Sequence, residues 1–247
     1  MTAHSASAFA VNPRCHASVQ FVGNDRAPVL IVDDLLADPQ ALVEHAHSGA
    51  AFRKEDKDFY PGLRSALSMA YAENIHRHLH ALLLETFYKS QPADIDALSC
   101  LLSLTMTRAQ DLRPIQTVPH FDSFDSRQIA AVHYLCDEQF GGTAFYRHRS
   151  SGYESLDAQR IAHYAPQLKR EVMQAAAQSP SRSLAYIHGD TALFACTGRV
   201  QARFNRAIFY RSNLLHSGDI APGRVLPADP RTGRLTANTL AQIRPLT

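Results

Sequence analysis

Cysteine is scarce in this chain: Cys15, Cys100, Cys136 and Cys196 lie far apart and form no CxxC pair. That spacing argues against a zinc knuckle or a disulfide frame and suits reduced, mostly buried thiols. Long apolar runs are missing too, and no stretch approaches the roughly 20 residues of a membrane-spanning helix. The opening MTAHSASAFAVNPRC has neither the basic n-region nor the long apolar h-region of a signal peptide, so a cytoplasmic protein is expected. Charge of one sign is not in excess. The 25 Lys and Arg face 23 Asp and Glu, a formal net charge of +2, and the basic residues form no long run. Nucleic acid is therefore not an expected partner. Repeats and low-complexity linkers are absent. With 247 residues and ordinary apolar content, the chain can build a sizeable core.

What is present divides into two halves. PVLIVDDLLADPQALVEHAHSG reads as a short buried strand and then a helix, with Asp38 as its cap, Pro39 at its first position and Gly49 near its end. SALSMAYAENIHRHLHALLLETF carries Leu67, Ala70, Ile75, Leu79, Leu82 and Leu83 at helical spacing, which predicts one long amphipathic helix. His76, His78 and His80 alternate by two and so scatter around that axis. They read as surface or packing residues.

The period changes near residue 98. LSCLLSLTMT places Leu98, Cys100, Leu102, Leu104 and Met106 on one face of a strand. RQIAAVHYLC, GGTAFYRHR, DTALFAC, QARFNRAIFYRS and GRLTANTLAQI also read as strands, and SLDAQRIAHYAPQLKREVMQAAAQ as a helical insertion at about 155–178. Helices followed by a run of short strands predict an α+β fold built on a β-sandwich or barrel, with helices packed on one side. The expected organisation is a single domain: residues 1–97 a mainly helical support, residues 98–247 the strand core.

One stretch, VPHFDSFD, raises a chemical question. His120 and Asp122 are two apart, so on an extended segment both point the same way. An imidazole nitrogen and a carboxylate oxygen on one face can share a divalent metal; a polar loop is the alternative reading. A third ligand is offered by His216 in RAIFYRSNLLHSGD, just past a strand end, unless it is a hydrogen-bonding loop histidine. Two histidines and one carboxylate on one face of an octahedron leave three positions open, as in non-haem Fe(II) oxygenases. A chelating 2-oxo acid would then need a cation for its distant carboxylate. Arginine's planar fork suits that task. GRLTANT offers Arg234 and Thr236 on one face of a strand, while Arg224 in the loop APGRVLPADP is a rival.

In order and spacing, HFD, HYLCDEQFGGTAFYRHR, FNRAIFYRSNLLHSGD and GRLTANT resemble the Fe(II)/2-oxoglutarate-dependent dioxygenase superfamily, on its prolyl-4-hydroxylase-like side. The resemblance covers about residues 100–245. VLIVDDLLADP and YPGLR are also similar to the lead-in of an uncharacterised bacterial branch. It implies a double-stranded β-helix (jelly roll, cupin-like) with the N-terminal helices on one sheet. It also implies His120, Asp122 and His216 as iron ligands and catalytic centre, and Arg234 with Thr236 as the anchor of the distal 2-oxoglutarate carboxylate. Tyr134 would assist there or serve as a core tyrosine, and Gly141 and Gly142 would form a turn. Fe(II), 2-oxoglutarate and O2 would be the cofactors, with succinate and carbon dioxide released as a C–H bond is oxidised. A carboxylate at Asp122 favours hydroxylation over halogenation and leaves desaturation or ring formation open. The chain departs from the common pattern in the length of IAPGRVLPADPRT, which keeps Arg224 in play, and in the insertion.

Arg147, His148, Arg149 and Tyr153, with Arg127 and Arg211, form a potential cationic rim. Such a rim would favour a carboxylate-bearing small molecule, amino acid or peptide; a solvated strand end is the alternative. Two other classes fit the same ligands: a metal-dependent hydrolase with a bound water as nucleophile, and a non-catalytic 2-oxoglutarate or metal-binding module.

Overall fold

A computed structural model describes residues 9–54, 59–178 and 184–246. Its elements run β1 (His16–Val22), β2 (Ala27–Asp33), α1 (Pro39–Ser48), β3 (Gly62–Ala66), α2 (Met69–His78), α3 (His80–Tyr88) and β4 (Ala93–Thr105). There follow β5 (Gln128–Tyr134), β6 (Gly142–His148), α4 (Arg160–Gln178), β7 (Phe194–Val200), β8 (Ala207–Arg211), β9 (His216–Asp219) and β10 (Arg234–Pro245). The strands form a seven-stranded sheet, ordered β1-β2-β8-β5-β10-β4-β3, and a three-stranded sheet, β7-β6-β9. This is a mixed α and β fold with a large antiparallel sheet.

Alternation along the central strands assigns the two faces of the large sheet. On β2, Leu30 and Val32 face the helices and Val29 faces the small sheet. On β8, Ala207 and Phe209 face the helices while Ile208 and Tyr210 face the small sheet. The helical layer is built from Leu42, Val43, Tyr71, Ile75, Leu83 and Phe87. Removing any such leucine to alanine costs about 2–5 kcal/mol, since the cavity left behind adds to the lost transfer energy. A third cluster, with Tyr164 of α4 against Ala144, Tyr146 and Phe194, closes the outer face of the small sheet.

Several expectations hold in detail. Asp38 caps α1 by accepting from the Ala41 N–H at 3.1 Å, and Pro39 opens the helix. All four cysteines are free; Cys100 and Cys136 are buried, and burial pushes their thiols up to about 12 and about 11. The insertion is the helix α4. No helix among the described residues is long and apolar enough to cross a membrane.

Others need correction. The long helix over 65–87 is two helices, broken at Leu79, whose backbone (φ −95°, ψ 9°) leaves the helical region. The break turns the stripe, so that Tyr71, Ala72 and Ile75 before it and Leu83, Leu84 and Phe87 after it all reach the same core. Residues 1–97 are not mainly helical support, because β1, β2 and β3 belong to the large sheet. β1 and β3 are its edges, and β1 is exposed along most of its length, so it carries no buried face to signal a strand. The strand expected from residue 98 begins at Ala93, and the one expected over 190–196 is Phe194–Val200.

Candidate functional site

Between the two sheets lies a cavity of about 730 Å³. Its floor is the inner face of the large sheet. Along β10 the side chains Arg234, Thr236, Asn238 and Leu240 line it in steps of two, while Leu235 and Ala237 turn to the helices. Ser99, Leu101 and Thr105 of β4 and Ala130 and Val132 of β5 continue the floor with mostly small side chains.

The roof brings together residues that are distant in sequence. His120 N–H donates to the His216 carbonyl at 2.9 Å, and His216 N–H donates back at 2.8 Å, so HFD runs antiparallel to the start of β9. Asp122 is fixed by its own N–H, which donates to the Ser212 carbonyl at 2.8 Å. The side chains converge. His216 Nε2 lies 3.5 Å from one Asp122 oxygen and His120 Nε2 lies 3.9 Å from the other. One donor atom from each residue falls within 4.8 Å of the others.

The protonation pattern suits metal binding. His216 Nδ1 is 2.9 Å from the Leu214 carbonyl oxygen, which can only accept. Nδ1 therefore carries the hydrogen of the neutral ring, and the Nε2 lone pair is left facing Asp122. His120 sits in a recess. Its ring is 58 % exposed, but surrounding protein thins its solvent. That desolvation, with His216 and Arg64 adding to it and Asp122 opposing, lowers its pKa to about 4. His120 is therefore neutral near pH 7. Two imidazoles and one carboxylate, held on one side with a cavity on the other, are a donor set that fits a divalent transition metal.

On the floor of the same cavity lies Arg234, 6 % exposed. Its Nε donates to the Phe140 carbonyl at 3.1 Å, Nη2 to the Gly142 carbonyl at 2.9 Å, and Nη1 to Thr105 Oγ1 at 3.2 Å. All three acceptors are neutral. Among the described residues no carboxylate pairs with this guanidinium. A buried cation without a counter-ion is costly, so an anionic ligand is the natural complement. Gly218 lies beside it: a Cβ there would be 3.4 Å from Arg234 Nη2. His216 and Gly218 are two apart on β9, so their backbones are roughly 7 Å apart, and the guanidinium lies against the second of them.

A family model described as a family of unknown function, DUF6445, matches residues 13–241. The chain belongs to the DUF6445 family. No curated protein matches it. Solved structures similar to this DUF6445 protein include SnoN, described as a non-heme alpha ketoglutarate dependent epimerase from nogalamycin biosynthesis (12 % identity, TM-score 0.46, 88 % of this chain and 78 % of that one). HygX from Streptomyces hygroscopicus, with nickel and 2-oxoglutarate bound, aligns at 12 % identity and TM-score 0.48 over 88 % of this chain and 84 % of its own. AviO1 from Streptomyces viridochromogenes Tue57 aligns at 14 % identity and TM-score 0.42 over 97 % and 94 %.

The remaining candidates of this DUF6445 protein separate clearly. Thr236 lines the cavity, with its hydroxyl donating to Asn238 Oδ1 at 2.8 Å. Arg224 is exposed in a loop, away from the cavity wall. Tyr134 faces the same way as Thr236, its strand partner, but is fully buried behind the wall, its hydroxyl 2.7 Å from Thr143 Oγ1. Thr143 lines the cavity instead. The expected cationic rim does not line it either. Arg147 and Arg149 reach Glu154 and Asp190, Arg127 holds Asp125, and Arg211 donates to the carbonyls of Ser126 and Phe87. His148 is buried between Ser151 and Glu171.

The sequence reading missed Tyr60, Arg64, Thr105 and Gly218 on the wall. Tyr60 and Arg64 belong to YPGLR, a stretch marked by resemblance but given no role. Tyr60 OH lies 2.6 Å from Thr105 Oγ1, the same oxygen that accepts from Arg234.

Proposed function

We propose that this protein is an Fe(II)- and 2-oxoglutarate-dependent oxygenase that hydroxylates a C–H bond of a small molecule, amino acid or peptide. On this reading the two sheets are the halves of a double-stranded β-helix of the prolyl-4-hydroxylase-like kind, forming one domain. The observation that carries the reading is the joint occupancy of one cavity. His120, Asp122 and His216 converge on its roof, and the buried guanidinium of Arg234, with no carboxylate partner among the described residues, rises from the floor against Gly218, two residues along β9 from His216.

His120, Asp122 and His216 would hold Fe(II), which when bound supplies oxygen activation coupled to decarboxylation of the 2-oxo acid. The chain's own residues do the rest. Arg234 takes the distal carboxylate of 2-oxoglutarate through its Nη hydrogens, and the Phe140 and Gly142 carbonyls with Thr105 keep the fork aimed. Gly218 leaves room for that carboxylate. Thr236 and Thr143 offer hydroxyls beside it. Tyr210, its ring centroid 4.7 Å from that of His216, packs against the imidazole and limits its rotation.

In air, purified protein supplied with Fe(II) and 2-oxoglutarate is expected to form succinate, faster once a cell extract containing the substrate is added. The extract should also yield a product heavier by one oxygen. A hydrolase using the same ligands would form no succinate, and a binding module would bind 2-oxoglutarate without turnover.

A further inference from the structure

Asn238 follows Arg234 and Thr236 in the row along β10 and stands half-buried on the cavity floor. The Thr236 hydroxyl donates to its Oδ1 at 2.8 Å, which pins the amide and turns Nδ2 away from Thr236. Among the described residues no acceptor pairs with the Nδ2 hydrogens. The strand partners of Asn238 are Leu101 on β4 and Val132 on β5, and both line the cavity. Next in the row comes Leu240, opposite Ser99 and Ala130. An oriented donor thus stands in a mainly apolar bed, and such a donor selects a ligand by the acceptor it brings. Four residues of extended strand put the Asn238 backbone roughly 13 Å from that of Arg234. That is longer than the five-carbon chain of 2-oxoglutarate, so a co-substrate anchored at Arg234 leaves Asn238 to another ligand.

The space around this amide is large and apolar. A cavity of about 730 Å³ has the size that takes ring-containing ligands, and 2-oxoglutarate would fill a minor part of it. At its mouth Phe59 and Ile115 are 60 % and 50 % exposed, and Val118 and Phe121 continue the same apolar rim. The Phe121 ring lies 4.9 Å from that of Phe124, which extends the rim. Exposed apolar side chains grouped at a cavity mouth mark a surface that another apolar body covers.

Resting on the oxygenase reading above, we propose that the substrate is a small molecule with a bulky, ring-built apolar body and an oxygen that accepts from Asn238 Nδ2. That oxygen is a carbonyl, ether or hydroxyl. The body lies on Leu101, Val132 and Leu240 and reaches the rim at the mouth. Asn238 is then a specificity-determining residue. A free amino acid offers too little apolar surface for such a bed.

The test uses the full chain loaded anaerobically with Fe(II) and 2-oxoglutarate. The visible band of the chelate is recorded first, and its absence refutes the oxygenase reading. Probe binding is read separately by equilibrium dialysis, which needs no band. The probes are 9-fluorenone, fluorene, which has the same three rings without the carbonyl, and cyclopentanone, which has the carbonyl without the flanking rings. 9-Fluorenone should bind about tenfold or more tighter than cyclopentanone and about fivefold tighter than fluorene. Asn238→Leu removes the donor at similar volume. Asn238→Asp keeps an acceptor for Thr236 but has no donor, so the test does not hang on one variant's folding. Both should invert the second preference, so that fluorene binds tighter, with the 2-oxoglutarate band retained. Equal or tighter binding of fluorene by the wild type overturns the proposal, as does a carbonyl preference surviving in either variant. Loss of the 2-oxoglutarate band in a variant with an unchanged circular dichroism spectrum would assign Asn238 to the co-substrate and also overturn it. Cyclopentanone binding as tightly as 9-fluorenone, or neither three-ring probe binding, would reject the apolar bed as the substrate's seat.

Discussion

His120 and His216, 96 positions apart in the chain, exchange both of their backbone hydrogen bonds and so stand directly opposite each other. In such a pair the two side chains leave the sheet on the same side. Asp122, two residues on, shares that side. Backbone pairing, not side-chain contact, sets the cluster. Alanine at any of the three should therefore leave the fold intact and weaken Fe(II) binding by about two orders of magnitude or more, exceeding the typical cost of losing a group that merely orients a ligand. Metal titration followed by calorimetry checks this, with circular dichroism confirming the fold. Full affinity in Asp122→Ala would remove the cluster from the account.

Gly218 and Arg234 give the second prediction. The Gly218 backbone lies outside the left-handed region, and a Cβ there would lie 3.4 Å from Arg234 Nη2 and 3.8 Å from Ile220 Cδ1. Gly218→Ala should be mild, because its methyl makes ordinary contact. Gly218→Leu should intrude on the carboxylate and raise the 2-oxoglutarate requirement by about tenfold or more. Metal affinity should hold in both. Equal 2-oxoglutarate affinity in the leucine variant would show that the co-substrate lies elsewhere.

The reach of sequence reasoning is visible at particular residues. His120 with Asp122, and Arg234 with Thr236, were legible because alternation by two fixes a shared face whatever the fold does. The helix cap at Asp38 was legible because capping is local. Tyr134 also shows its face in the sequence. What removes it from the wall is the hydroxyl of Thr143 from the facing sheet, a partner no local pattern reveals. Arg64 and Tyr60 were missed because β3 has only five residues and no apolar alternation to mark it, and Tyr60 lies just before it. β1 and β3 were missed for a related reason: an edge strand has few core contacts to imprint an alternation.

Asn205 gives a third prediction, on stability. It adopts a left-handed backbone (φ 66°). Its side chain donates to the Leu36 carbonyl at 2.9 Å and accepts from the Leu36 N–H at 2.9 Å. It also lies 3.1 Å from His133 Nε2. Asn205→Ala loses these buried bonds and strains the backbone, at a cost of about 2–4 kcal/mol. Asn205→Gly should recover the strain but not the bonds. Urea denaturation of both variants reads the difference, and a neutral alanine variant would contradict it.

Acid should weaken the fold through two buried histidines, which gives a fourth prediction. Burial lowers both His133 and His76 to about 4. At 2 % and 4 % exposure they remain neutral in the folded protein well below pH 6.5. The unfolded chain takes up protons below about 6.5, so it gains stability relative to the fold as pH drops. The stability these groups contribute is complete above pH 6.5 and is lost between about 6.5 and 4, on the order of 1–3 kcal/mol each. His76→Leu should flatten part of the slope of melting temperature against pH over that window. An unchanged slope would show that His76 is not one of the groups responsible.

The central claim is that metal and 2-oxoglutarate share one cavity with Arg234 as the anchor. Anaerobic titration of Fe(II)-loaded protein with 2-oxoglutarate, in the wild type and in the Arg234→Ala and Arg224→Ala variants, tests it most directly. A visible charge-transfer band should grow in the wild type, with the same affinity in Arg224→Ala. In Arg234→Ala its affinity should be weaker by about two to three orders of magnitude, as befits removal of one partner from a buried charged pair. No band in the wild type, or weakening in Arg224→Ala with Arg234→Ala unaffected, would contradict the account.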